Sequence, residues 1–262
     1  MHGRNYATVY GSHQFQRDMK RVLVVGGANG IGLSIAKLLA AKEGIEKVYI
    51  LDKASLPEEY REDIIESQVF DLMSSDYSVF DQYQDIDGLV ITAGFGRLAL
   101  FEDIPEEMIA TYFQVNTIAV IRIIKHFYDK LLSAQNFYCG VMVSIAGFIS
   151  SPFFSVYGAT KAALKIFIES INVELEEAGS PNRILNVSPG SIKGTSFNQG
   201  GINDLELTKV LAGEIIDNLT KKNDLFIPQY EEVFKEVLER YHTNFREEGK
   251  HSYEYKKKSG RV

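Results

Sequence analysis

The chain of 262 residues holds a single cysteine, Cys139, and therefore closes no internal disulfide. Cys139 lies in the apolar run Phe-Tyr-Cys-Gly-Val-Met-Val, which reads as a buried strand in which a thiol packs as a small hydrophobe. Histidine is scarce too. His2, His13, His126, His242 and His251 share no ligand spacing, so no catalytic metal is expected. There is no run of about 18 apolar residues, the length a membrane-spanning helix needs, and the N-terminus carries no apolar signal segment. A cytoplasmic protein with no membrane partner is expected. Basic charge is in deficit, with 28 Lys+Arg against 35 Asp+Glu and a net charge of -7. Nucleic-acid binding needs clustered cations, so no nucleic-acid partner is expected. Nor does any Pro/Gly-rich linker or internal repeat divide the chain.

What is present is alternation. Arg21–Gly27 (RVLVVGG) is a β-branched run ending in glycines and reads as a buried parallel strand. Ile31, Ile35, Leu38 and Leu39 follow at helical spacing. Further strands are expected at 48–51, 68–70, 88–92, 138–144, 183–187 and 225–227, with long helices over about 105–132 and 156–177. This order predicts an α/β fold, a single Rossmann-type, doubly wound, parallel seven-stranded sheet flanked by helices. The domain is expected over 21–245, with a lid loop at about 196–206. Residues 1–20 form an N-terminal extension and 246–262 a charged, solvated C-terminal tail.

Gly26-Gly27-Ala28-Asn29-Gly30-Ile31-Gly32 stands where the first strand gives way to the first helix. Glycines let the backbone approach a pyrophosphate, and the helix N-terminus supplies free N–H groups and partial positive charge. A glycine cluster alone signals little. Here Asp52 follows the second strand, 20 residues after Gly32. A carboxylate there accepts from both ribose hydroxyls of NAD and repels a 2′-phosphate. The plain alternative is a surface turn residue, and the neighbouring Lys53 blurs the preference.

Tyr157 and Lys161 sit four apart at the start of a helix, on one face. A phenol with a nearby ammonium is a proton donor that can also accept, because the ammonium lowers the phenol's pKa. Tyr49/Lys53 and Tyr253/Lys257 have the same spacing, but the first pair leaves a strand and the second lies in the charged tail. Only Tyr157/Lys161 follows a strand that ends in a candidate partner, Ser144, whose hydroxyl could hold a substrate carbonyl.

Taken together, these motifs resemble the short-chain dehydrogenase/reductase family over about residues 21–228. The family's glycine motif falls on Gly26, Gly30 and Gly32, its Y-x3-K on Tyr157/Lys161 and its serine on Ser144. Its active-site asparagine falls on Asn116 in VNTIA, and the aspartate after the third strand on Asp71 in FDL. Its P-G motif is Pro189-Gly190. The resemblance implies Asn116, Ser144, Tyr157 and Lys161 as catalytic residues and NAD(H) as cofactor. The cofactor would be held by Gly26, Asn29, Gly30, Ile31, Gly32 and Asp52 on the ribose and phosphate side. Asp71 would contact the adenine, and Leu72, Ala93 and Gly94 would also bind the cofactor. Tyr157, Lys161, Pro189, Gly190, Ile192 and Thr195 would border the nicotinamide.

Three departures stand out: Val25 replaces the family's first threonine, Ile91-Thr92-Ala93-Gly94 replaces N-N-A-G, and Gly194 displaces Thr195 by one position.

The implied reaction interconverts a secondary alcohol and a ketone. Phe95, Leu98, Phe148, Ile149, Phe153, Phe154, Ile192 and Phe197 flank the motifs and suit a hydrophobic substrate such as a hydroxysteroid, although such residues also pack cores. The alternatives are a 3-oxoacyl thioester reductase or a non-catalytic NAD-binding sensor. A nucleotide-sugar epimerase would need a second lobe, for which about 35 residues after the seventh strand are too few. The family also implies a homodimer or homotetramer through the long helices, and 1–20 could fold as an arm over the site.

Overall fold

A computed structural model describes residues 19–195, 197 and 204–259. Seven parallel strands form one sheet: β1 Arg21–Val25, β2 Lys47–Asp52, β3 Ile65–Val69, β4 Gly88–Ile91, β5 Tyr138–Met142, β6 Ile184–Val187 and β7 Leu225–Phe226. Their order is β3-β2-β1-β4-β5-β6-β7. The chain starts in the middle, runs out to one edge, returns and runs to the other. The order therefore reverses between β1 and β4, and ligands of such sheets bind at the strand C-termini beside that crevice.

Period-two alternation sends successive side chains of β1 into two cores. Leu23 and Val25 join Phe80, Ile123, Phe127, Leu164 and Ile168 on one face. Val22 and Val24 join Leu33, Ile35, Leu39, Ile215 and Leu219 on the other. The second face is covered by α1 Gly30–Ala40 and α6 Leu205–Thr220, the first by α3 Ala119–His126 and α5 Ser155–Glu177 among others. The expected fold class is the observed one.

Four details differ. β3 starts three residues before the expected 68–70, because only Ile65 of this edge strand is buried and no apolar run marks it. The helix expected over 105–132 is interrupted. It divides into α2 Glu106–Phe113, a π-helical turn Gln114–Ile118, α3, and α4 Tyr128–Leu132. The expected loop 196–206 ends earlier, since Asp204 caps α6, its Oδ1 accepting the N–H groups of Glu206 and Leu207. The largest difference is at the C-terminus. The segment expected as a solvated charged tail forms α8 Phe245–Lys258, preceded by α7 Lys235–Thr243. Asn244 caps α8, with Glu247 and Glu248 in the first turn and Lys256, Lys257 and Lys258 in the last, which suits the helix dipole. Residues 1–18, with the expected arm, lie outside the described residues, as do 198–203 of the expected lid.

Among the described residues no helix is long and apolar enough to cross a membrane. Nor do any three His, Cys, Asp or Glu side chains among them group as a metal site.

Candidate active site

The turn after β1 is built by clearance. Gly26 has φ +91°, and a Cβ there would stand 2.4 Å from the Ala93 nitrogen. A Cβ on Gly32 would stand 2.1 Å from the Gly26 carbonyl oxygen. The chain thus folds back on itself, and on the end of β4, closer than any side chain allows. Among the described residues Gly30, at φ +54°, faces only the Thr195 side chain, with 3.6 Å to its nearest atom from the place of a Cβ. No side chain caps α1, and its first turn carries no acidic residue. Its first N–H groups have no partner within the helix and point, with the positive end of the dipole, into the space between the glycine turn and Thr195. That cradle fits a pyrophosphate.

The hydroxyl that Val25 cannot supply comes from Thr92. Its Oγ1 donates to the Gly26 carbonyl at 2.9 Å, tying the end of β4 to the glycine turn. Thus the two departures at Val25 and Thr92 compensate each other.

Asp52 ends β2. Its Oδ2 accepts the Ala28 N–H at 2.9 Å and its Oδ1 the Ala54 N–H at 3.0 Å. Each oxygen retains accepting capacity for a ribose hydroxyl. Lys53 turns away to pair with Asp71 at 3.2 Å. The Met73 N–H, which bonds Asp71 Oδ1, and Lys53 together hold the Asp71 carboxyl below its ordinary value. Leu72 is buried beside it, its carbonyl taking the Tyr77 hydroxyl at 2.9 Å. Ala93 and Gly94 lie between the two halves of the site. A Cβ on Gly94 would stand 3.1 Å from Asn116 Oδ1 and 3.4 Å from Lys161 Nζ.

Asn116 sits in the π-helical turn and is fully buried. Such turns re-aim a side chain that a regular helix would place elsewhere. Its Oδ1 accepts the Phe95 N–H at 3.0 Å, and its Nδ2 donates to the Phe95 carbonyl at 2.9 Å. This clasp fixes the strand end at Phe95. Nδ2 also reaches Thr160 Oγ1 at 3.4 Å, and that hydroxyl bonds the Tyr157 carbonyl at 2.6 Å. Sequence reasoning missed Thr92 and Thr160. Neither lies in a spacing pattern that separates it from other threonines.

Ser144 follows β5 and caps the short 3-10 turn Ile145–Gly147, its Oγ accepting the Ala146 N–H at 3.1 Å. Ser144 lies near the Tyr157 phenol and acts against the rise in its pKa. α5 presents Tyr157 and Lys161 on one face, both buried. Lys161 Nζ donates to the Met142 carbonyl at 2.9 Å and lies 5.7 Å from the Tyr157 ring centroid. Burial pushes the phenol up to about 12, opposed by Ser144, and draws Lys161 down to about 8. The expected lowering by the ammonium does not appear: removal from water is the largest cause of the phenol's shift, and the cause opposing it is Ser144 rather than Lys161.

On the side expected to border a nicotinamide, the Pro189 carbonyl takes the Ile145 N–H at 3.0 Å, and Gly190 follows it. A Cβ on Gly190 would stand 2.5 Å from the Phe234 ring. Gly194 has φ +78° and would meet the Asp204 carbonyl at 2.8 Å, so the extra residue before Thr195 is a glycine for a conformational reason. Thr195 thereby comes to face Gly30.

The apolar residues expected to flank the site divide. Phe95, Phe154 and Phe197 gather around Tyr157 with Tyr112. Phe154 and Phe197 lie 5.1 and 5.3 Å from its ring centroid, and Phe95 stacks on Tyr112 at 4.6 Å. Ile192 instead packs with the α1/α6 core, Phe148 lies under Lys165 and Phe153 stacks on Tyr253 of α8. Leu98 and Ile149 are half-buried.

Residues 20–204 match the family model described as short chain dehydrogenase, and the chain belongs to that family of oxidoreductases. An uncharacterized short-chain type dehydrogenase/reductase of Sinorhizobium fredii is 32% identical over 176 residues, covering 65% of this chain and 69% of the relative. A Burkholderia phymatum short chain dehydrogenase/reductase solved in complex with NAD superposes at TM-score 0.74 and 15% identity, over 88% of this chain and 96% of its own. A Sphingobium yanoikuyae short-chain dehydrogenase in complex with NADPH superposes at 0.68 and 20%, over 86% and 96%.

Proposed function

We propose that this protein interconverts a secondary alcohol and a ketone on a hydrophobic substrate such as a hydroxysteroid, with NAD(H). The observation that carries the reading is the group of half-buried Ser144 with buried Tyr157 and Lys161 at the carboxyl end of the sheet, next to a glycine cradle that fits a dinucleotide.

The bound dinucleotide supplies or accepts a hydride. All else falls to the chain. Ser144 Oγ and Tyr157 Oη hold the substrate oxygen. In reduction, Tyr157 Oη gives its proton to that oxygen, and a phenol held near pKa 12 stays protonated until then. Lys161 Nζ, kept beside the phenol by the Met142 carbonyl, supplies positive charge as phenolate forms. Asn116 holds the Phe95 backbone and, through Thr160, the first turn of α5, and helps order the water that returns the proton. Phe95, Phe154 and Phe197 exclude bulk water and favour an apolar substrate. The preference for NAD rests on Asp52, whose charge repels a 2′-phosphate while its free lone pairs accept ribose hydroxyls. Assembly as a homodimer or homotetramer belongs to the same reading.

The test follows NADH absorbance against a panel of hydrophobic ketones led by ketosteroids, with 3-oxoacyl thioesters and NADPH alongside. Oxidation of NADH on a ketosteroid, abolished in Tyr157→Phe, is expected. Turnover of thioesters alone would replace the substrate class. No turnover of any ketone, with NADH still bound, would overturn the enzymatic reading in favour of a sensor.

A further inference from the structure

We propose that α8 holds the substrate-side wall of the site, with Tyr253 and Lys256 as positioning residues for segment 150–154, an inference that rests on the oxidoreductase reading above. The segment joins the turn after Ser144 to α5, which carries Tyr157. Phe153 within it is buried yet adopts φ +66°. Bulky side chains avoid this left-handed region, and one persists there only where its surroundings fix it.

The surroundings are α8 and the turn after β4. The Tyr253 ring stacks on Phe153 at 4.7 Å and 25°. Lys256 Nζ donates to Ser151 Oγ and to the Pro152 carbonyl, each at 2.7 Å, and lies 5.3 Å from the Phe154 ring centroid. Ser150 Oγ donates to the Phe245 carbonyl at 3.2 Å. At Gly249, buried on the same face, a Cβ would stand 3.3 Å from that hydroxyl, so the helix lies close against the segment. From the other side, the Ala99 N–H donates to the Phe153 carbonyl at 3.0 Å.

The next residue passes this constraint to the reacting groups. The Phe154 carbonyl takes the Gly158 N–H at 2.7 Å, and its ring lies 5.1 Å from Tyr157 and 6.4 Å from Phe197. Phe154 is thus the apolar wall beside the phenol, and its place is set by a residue that cannot hold its own backbone conformation. These contacts of Phe245, Tyr253 and Lys256 in α8 run to segment 150–154, and none of them involves the glycine cradle. Loss of the clamp therefore alters substrate binding and leaves dinucleotide binding alone.

The experiment uses the full chain as Tyr253→Ala, Tyr253→Phe and Lys256→Met. Hydrogen exchange of amides 150–158 is measured in each, together with NADH affinity and, on the best ketone of the panel, KM and kcat. For Tyr253→Ala and Lys256→Met we expect faster exchange at 150–158 with none at 26–34, an unchanged NADH affinity, and a KM raised about tenfold against a kcat nearly unchanged, the pattern of lost ground-state binding. Tyr253→Phe keeps the ring and is expected to behave as the parent. Unchanged exchange at 150–158 in Tyr253→Ala and Lys256→Met would overturn the proposal, as would failure of Tyr253→Phe to restore it. Should Tyr253→Ala not fold, Lys256→Met decides alone. The exchange readout needs no turnover, so a parent protein inactive on every ketone would sink the enzymatic reading without deciding this one.

Discussion

Two stretches of this chain take backbone into the left-handed region at the edge of one site, and they do so by opposite means. In the turn after β1 the residues are Gly26 at φ +91° and Gly30 at +54°. Glycine adopts such angles without steric penalty, so the conformation is written into the residues that adopt it. In segment 150–154 the residue is Phe153 at +66°, and the conformation is imposed by Tyr253 and Lys256, about a hundred positions away in α8. The cofactor side of the site is thus locally determined, and the substrate side is determined by packing.

The sharpest way to break the comparison is Gly32→Ala. Its methyl would stand 2.1 Å from a backbone oxygen that has no flexible end to yield. We expect a loss of about 3 kcal/mol or more in stability, with NADH binding abolished in a calorimetric titration. Near-parental binding would show that the turn can yield.

Next in size is the pH dependence of the buried pair. Lys161 is drawn down to about 8 when folded, so above that pH the folded protein has released its proton while the unfolded chain, at 10.5, still binds one. The stability of the parent relative to Lys161→Met therefore rises as pH climbs from about 8 towards 10.5. For Tyr157 the sign reverses. Its folded value of about 12 lies above the unfolded 10.0, so stability relative to Tyr157→Phe falls as pH climbs through 10 towards 12. Chemical denaturation of the three proteins across this range would check both; parallel profiles would contradict the burial of the pair.

Asp52→Asn keeps one carboxyl-like acceptor and removes the charge. The ratio of kcat/KM for NADPH over NADH should rise about tenfold, equal to ~1.4 kcal/mol. An unchanged ratio would move the discrimination elsewhere.

The smallest effect sharpens the comparison most directly. At Phe153, alanine keeps the backbone penalty and loses the ring, whereas glycine loses the ring and the penalty together. Phe153→Gly should therefore be more stable than Phe153→Ala by about 1 kcal/mol, the same preference for glycine over alanine that Gly26 has at its own position. Thermal melts of the pair would show it, and equal stability would mean that the segment relaxes freely.

The same contrast explains what the sequence made legible. β1, the glycine turn and Asp52 were readable because their pattern is local: β-branched residues, glycines at fixed offsets, a carboxylate at the next strand end. The order of elements was readable from periodicity, and with it the fold. The break at Gln114–Ile118 was not, since the apolar spacing runs on through it, and the partner that Asn116 clasps from the π turn is the Phe95 backbone, 21 residues away. β3 was misplaced because an edge strand with four exposed residues has no apolar signature. α8 was passed over because its charge suggested a solvated tail. Yet Asn244, Glu247 and Glu248 ahead of Lys256–Lys258 form a cap and a dipole-matched charge gradient that could have revealed it. What no pattern could reveal is which surface it covers. Likewise, Thr92 makes up for the missing hydroxyl at Val25 only because β1 and β4 are neighbours.

The central claim is that Tyr157 is the proton donor of a hydride-transfer reaction, and the most direct measurement is isotopic. NADH carrying deuterium on the transferable face of C4 is incubated with a hydrophobic ketone and the parent protein or Tyr157→Phe, and the alcohol is analysed by mass spectrometry. The account predicts one deuterium on the carbinol carbon with the parent, and a rate about 10²–10⁴-fold lower with Tyr157→Phe while NADH still binds. Alcohol formed at the parental rate by Tyr157→Phe, or lacking the label, would contradict it.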